Sequence, residues 1–204
     1  SIHQDANKGV MYEVEPFKDF KDMIQKRVIA HPDKVAFRFT VNKENKAVTY
    51  REHSDNINAL GTAISDLGIF DKHIAMVGEN CYEWILTQIT VLGSDNVFVP
   101  VDKELPAADL LNVINHSDSY MVFCTGSFVK LLSENKDKIP KVKHFIVYRP
   151  KDELPEGFVD AAEFMEKGRK LLEEGTRTYL DIEPKDEGIG EIVYTSGTTG
   201  LPKG

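Results

Sequence analysis

No uninterrupted apolar run in this chain approaches the ~20 residues that cross a bilayer as a helix. A spanning helix is therefore not expected, although peripheral membrane contact stays open. Residues 1–8 lack the charged-then-apolar pattern of a secretory signal. Cysteine is scarce: Cys81 and Cys124 are the two, far apart and outside any Cys-x-x-Cys spacing. A disulfide framework or a zinc site built on cysteine pairs is not expected, and two buried free thiols in a reducing cytoplasm are. Positive charge is in deficit, with 25 Lys and Arg against 33 Asp and Glu and a net charge of −8. That balance argues against a general nucleic-acid or anionic-membrane binder. It leaves room for a local basic pocket that holds nucleotide phosphates. No fixed-period repeat suggests a solenoid.

What is present is ordinary globular composition, 41% hydrophobic and 28% charged over 204 residues. That length suits one large domain or about two small ones. Residues 1–16 read as a mobile polar lead-in. Phe17, Phe20, Ile24 and Val28 fall at helical spacing and predict a helix over residues 17–30, ended by His31-Pro32. Residues 34–40 alternate as a strand, residues 42–46 read as a polar turn, and residues 47–49 return as a second strand. Thr49 and Glu52 have capping-box spacing, opening a helix with the stripe Ile57, Leu60, Ile64 and Leu67 that stops at Gly68.

From there strand and helix alternate. Strands are expected at residues 73–77, 96–101, 120–124 and 142–148. Helices are expected at 82–92, from Pro106 through Ile114, and at 127–136. Trp84, Ile85, Ile89 and Leu92 are the expected inner side of the first of these helices. Residues 149–157 read as a surface loop. A helix over 160–174 follows, with Phe164, Leu171 and Leu172 inward and Gly175 at its end. The pattern predicts an α/β fold: a largely parallel sheet flanked by helices, with a small early hairpin.

The last residues carry the densest chemistry. Ile192-Val193-Tyr194 is a short apolar run, followed by Thr195-Ser196-Gly197-Thr198-Thr199-Gly200-Leu201-Pro202-Lys203-Gly204. Glycines let successive backbone N–H groups converge on one anion. Thr195, Ser196, Thr198 and Thr199 add hydroxyl donors, and Lys203 adds a positive charge. A polar linker and a phosphate cradle both fit such a cluster. Walker A does not, because no hydroxyl follows the lysine and Pro202 disfavours an immediate helix.

Residues 194–204 resemble, without a mismatch, the phosphate-binding signature of the AMP-forming adenylating enzymes. That family includes acyl-CoA synthetases, peptide-synthetase adenylation domains and luciferases. Val48-Thr49-Tyr50-Arg51-Glu52 resembles an early family segment. Residues 92–102, ending Val99-Pro100-Val101-Asp102, resemble a second. The continuation Lys103-Glu104-Leu105-Pro106 resembles long-chain fatty acyl-CoA synthetases more than amino-acid-activating domains, while Gly93-Ser94-Asp95 departs from the small Ala-Gly pair common there.

The resemblance implies a two-step reaction. A carboxylate attacks the α-phosphate of ATP, giving acyl-adenylate and pyrophosphate, and coenzyme A then displaces AMP. It implies ATP, Mg2+ and coenzyme A as cofactors, and a fatty acid or other carboxylate as partner. The phosphate-binding residues would be Thr195, Ser196, Gly197, Thr198, Thr199, Gly200, Lys203 and Gly204. Residues 17–204 would be the N-terminal part of the adenylation domain, ending at the phosphate loop. No catalytic or metal-binding residue is then expected in this stretch. The stretch alone is expected to be inactive, with a poorly ordered terminal loop. Two other readings stay open: adenylation of an aryl or amino acid, and a non-catalytic nucleotide- or phosphate-binding protein.

Other residues weigh less. His53/Asp55 and His116/Asp118 are pairs that lack a third ligand nearby in sequence, and read as surface polar pairs. Trp84 with Tyr82 reads as core rather than a stacking platform. Cys81 has no local base to make it a nucleophile. Glu173-Glu174 and Asp186-Glu187 read as solvated charge.

Overall fold

The computed structural model describes residues 18–183 and residue 191. The chain opens with α1 (Lys18–Ala30), then a hairpin of β1 (Val35–Val41) and β2 (Glu44–Thr49). The polar stretch expected to be a turn of five residues is a turn of two. Asn42 and Lys43 both have positive φ, 49° and 66°, and Val41 already pairs with Glu44. Both faces of the β2 start are exposed, so no hydrophobic alternation marked it as strand.

Thr49 caps α2 (Tyr50–Asp66) as its spacing predicted. Its Oγ1 accepts from the Glu52 N–H at 3.2 Å and donates to Glu52 Oε1 at 3.0 Å. Ile57, Leu60 and Ile64 are buried, but Leu67 at the C-cap is exposed. Gly68 follows with φ +71°.

The remaining strands form one parallel sheet: β3 (His73–Val77), β4 (Val97–Val101), β5 (Ser119–Thr125), β6 (His144–Tyr148) and β7 (Phe158–Asp160). Their order is β4-β3-β5-β6-β7. The chain leaves β3 in one direction to make β4, then returns to the other side of β3 to make β5. Helices α3 (Tyr82–Leu92), α4 (Ala107–His116) and α5 (Val129–Glu134) fill the first three connections, and α6 (Ala161–Glu173) follows β7. The expected helix over residues 127–136 is broken, with turns of 3-10 helix at Gly126–Phe128 and Lys136–Lys138 on either side of α5. The strand β7 has three residues and offers no periodicity that sequence could register.

Strand alternation gives the sheet two apolar faces. Ile74, Met76, Phe98, Met121, Phe123, Ile146 and Tyr148 meet α2, α3 and α6. Val77, Val99, Val101, Val122, Cys124 and Val147 meet α4 and α5. On the first face, α6 crosses α2 very closely. A Cβ at Gly168 would overlap the Ala59 carbonyl oxygen, and one at Gly61 would overlap the ring of buried Tyr179. Tyr179 is fixed there by donating to the Thr90 carbonyl at 3.0 Å.

Helix α3 corrects the expected packing. Its fully buried residues are Tyr82, Leu86, Thr87, Thr90 and Val91. Trp84, Ile89 and Leu92 are only partly buried, and Ile85 is 36% exposed. The helix is apolar nearly all round, so spacing alone could not choose the inner face.

Candidate functional site

The reversal of strand order at β3 opens a crevice at the carboxyl ends of β3 and β5, the position where open α/β sheets commonly bind ligands. Here that crevice is closed by its own side chains. Thr125 donates to Glu79, and a Cβ at Gly78 would meet the Thr125 side chain at 2.6 Å. Burial pushes the Glu79 carboxyl up, but hydrogen bonds from Ser127 and Thr125 outweigh it and hold the group below the usual carboxylate range. Beside it, Arg149 forks onto Glu83 in the first turn of α3, with Nη2 at 2.9 and 2.7 Å from the two carboxylate oxygens. The result is an acid-bearing, internally paired edge, poorly suited to an anion at β3 and β5 themselves.

The sheet is joined one strand away, at β4. Glu191 forms a parallel bridge with Phe98, on the side of β4 not taken by β3. Its carboxylate accepts from Gln88 Nε2 at 2.9 Å. Gln88 belongs to the half-buried stripe of α3 that holds Trp84, Ile85, Ile89 and Leu92. The Trp84 ring meets Phe98 edge-on, with centroids 5.3 Å apart. The chain therefore arrives at the β4 edge one residue before the apolar run 192–194 that leads into the glycine- and hydroxyl-rich sequence. Thr195, Ser196, Gly197, Thr198, Thr199, Gly200, Lys203 and Gly204 lie outside the described residues.

The lesser candidates are occupied structurally. His53 is buried, 2.7 Å from the Tyr82 hydroxyl through Nδ1 and edge-on to Phe37. This corrects its reading as a surface polar residue. Burial pushes its imidazole down to about 4. Asp118 pairs with Lys141 at 2.5 Å. Tyr82 stacks on Phe39 and is core. Both cysteines are free. Cys124 is buried, while Cys81 is only partly so. Burial pushes the Cys81 thiol up to about 11, which disarms it as a nucleophile. Among the described residues, no cluster of His, Cys, Asp or Glu is arranged to hold a metal ion. No helix among them is long and apolar enough to cross a membrane. The pairs Gln88–Glu191, Glu83–Arg149 and Glu79–Thr125 were not foreseen, because each joins residues far apart in sequence.

An open parallel sheet with helices on both faces and an early antiparallel hairpin defines an α/β class of protein. The profile described as "AMP-binding enzyme" matches residues 24–204, and the chain belongs to that family. It is 29% identical over 171 residues to 4-hydroxybutyrate–CoA ligase 2 of Metallosphaera sedula, covering 79% of this chain and 31% of that protein. It is 30% identical over 173 residues to long-chain-fatty-acid–CoA ligase 5 of Rattus norvegicus, covering 80% of this chain and 25% of that one. The crystal structure of the anthranilate CoA ligase AuaEII in complex with anthranoyl-AMP superposes with a TM-score of 0.73 at 18% identity, over 95% of this chain and 34% of that chain. That likeness establishes the fold. The chain spans about a quarter to a third of the length of the curated relatives it matches.

Proposed function

We propose that this chain is the N-terminal part of the adenylation domain of an AMP-forming acid–thiol ligase, and that it carries the loop for the phosphates of ATP. The carboxylate of a fatty acid attacks the α-phosphate, pyrophosphate leaves, and the thiol of coenzyme A displaces AMP from the acyl-adenylate. Thr195, Ser196, Thr198 and Thr199 donate hydroxyl hydrogen bonds to the β- and γ-phosphates. Gly197, Gly200 and Gly204 allow backbone N–H groups close approach, and Lys203 offsets charge building on the leaving pyrophosphate. Mg2+ would arrive with ATP and supply part of the neutralisation of its charge. The protein is read as cytoplasmic.

The observation that carries this reading is the parallel bridge of Glu191 with Phe98. Glu191 directly precedes in sequence the apolar run 192–194 and the hydroxyl- and glycine-rich residues 195–204 that resemble the family's phosphate-binding signature. The names of the two CoA-ligase relatives support a carboxylate and coenzyme A as substrates. The stretch Lys103-Glu104-Leu105-Pro106 supports a fatty acid over an amino acid.

The test is ATP-dependent pyrophosphate exchange by the longest reading frame containing these residues, across short, medium and long fatty acids, aryl acids and amino acids. Fatty acids are expected to give the fastest exchange, and the 204-residue chain alone none. Fastest exchange with an aryl or amino acid would replace the fatty-acid reading. Exchange with no acid would remove the ligase reading.

A further inference from the structure

We infer that the cavity between α1, α2, α3 and the turn at Tyr179 and Leu180 binds a small uncharged amphiphile, an apolar ring or short chain that carries a hydroxyl or amide group. The inference does not depend on the reading of residues 195–204.

The cavity measures about 120 Å3. An apolar cavity of about 150 Å3 can hold benzene, so the space is on the scale of one small ring. Its walls are largely apolar. Ile57 of α2 is buried, and Ile24 of α1, Ile89 of α3 and Leu180 are half-buried. Tyr179 also lines it, with its hydroxyl already donating to the Thr90 carbonyl. Against these stand Gln25 of α1 and Ser54 and Asn58 of α2. Ser54, Ile57 and Asn58 have the spacing of one helix face, so α2 offers the cavity a hydroxyl, an amide and an apolar side chain together. Among the described residues, the side chains of Gln25, Ser54 and Asn58 have no hydrogen-bond partner, although Ser54 and Asn58 are half-buried. Half-buried polar groups that the protein leaves unpaired are open to a ligand. No charged side chain lines the space, so an ionised ligand would give up its hydration with nothing to replace it. Water alone fits poorly. The volume corresponds to about four waters at liquid density, each seeking about two to four polar partners, more than three side chains can supply. An apolar body displaces that loosely held water at a gain, and its one polar group takes up the unpaired side chains.

The test is methyl NMR of isoleucine-labelled protein, made from the longest reading frame that carries the chain and titrated with phenol, toluene and benzoate. Ile24, Ile57 and Ile89 report on the cavity, and Ile74 and Ile146, buried in the core against the sheet, are the controls. Phenol is expected to shift the cavity methyls with half-saturation at about 1 mM and to leave the controls in place. Benzoate is expected to bind at least about tenfold more weakly. Asn58→Leu keeps the size of the side chain and removes its amide. It should weaken phenol about fivefold and leave toluene within about twofold of wild type. Ser54→Phe puts a ring into the space and should abolish binding of both. The inference is overturned if phenol gives no saturable shift of the cavity methyls, if it moves the controls as far, or if benzoate binds as tightly. It is equally overturned if Asn58→Leu leaves the preference for phenol over toluene unaltered, or if Ser54→Phe binds phenol as wild type does. Where Ser54→Phe does not fold, the Asn58→Leu contrast decides.

Discussion

The two edges of the sheet are built to opposite ends. Strand β7 has three residues, and the chain turns from it directly into α6, where Asp160 Oδ1 accepts from the Ala162 N–H at 2.9 Å. Its central residue, Val159, points outward and is 40% exposed. Among the described residues nothing pairs beyond it. Strand β4 reads Val97-Phe98-Val99-Pro100-Val101, carries no charge, and is joined by Glu191. A short strand running into a capped helix is a way to finish a sheet. A longer apolar edge invites pairing and is a liability unless something covers it. The difference teaches that, among the described residues, the sheet is finished at β7 and is joined at β4 by Glu191.

The comparison can be broken from either side. The largest expected effect is on pH, near the β4 edge. His53 joins α2 to Tyr82 of α3, the helix beside β4, with Asn56 Nδ2 also 3.3 Å from the same hydroxyl. Its folded pKa of about 4 lies below the ordinary 6.5. In the unfolded chain it binds a proton as pH falls through 6.5, while the folded protein takes none up until about 4. Stability from this group is thus fully present above pH 6.5 and is lost as pH falls toward 4, by up to about 3 kcal/mol. Denaturant unfolding across that range should show the slope in wild type and lose it in His53→Gln. An identical slope in the variant would assign the pH response to other groups.

Next is Gly168→Ala on the β7 side. Alanine usually stabilises a helix interior by about 1 kcal/mol over glycine. Here its Cβ would overlap the Ala59 carbonyl oxygen, backbone that cannot swing aside. Overpacking should win and destabilise by about 2 kcal/mol net. A variant as stable as wild type would mean that α6 is not clamped to α2, and that the β7 side is looser than its packing implies.

Much of this fold was legible because the sheet is buried on both faces and its helices are regular. Continuous apolar runs such as Ile74-Ala75-Met76-Val77 mark strands, and the Thr49–Glu52 pair marks a helix start to the residue. The failures have specific physical origins. β7 is too short to have a period. The start of β2 is exposed on both faces and resembles a loop. α3 is apolar on two faces because it covers the sheet with one and lies beside the incoming Glu191 with the other. For the site, the signature was legible as a contiguous string. The Gln88–Glu191 pair was not, since only folding brings its members together.

The most direct test of the account is amide hydrogen exchange at the two edges, compared between the 204-residue chain and the same chain ended after Glu183. If Glu191 joins the sheet at β4, removing it should speed exchange of the β4 amides by about tenfold or more and leave those of β7 unchanged. Equal protection of β4 in both chains would contradict the account, and so would an equal loss at both edges.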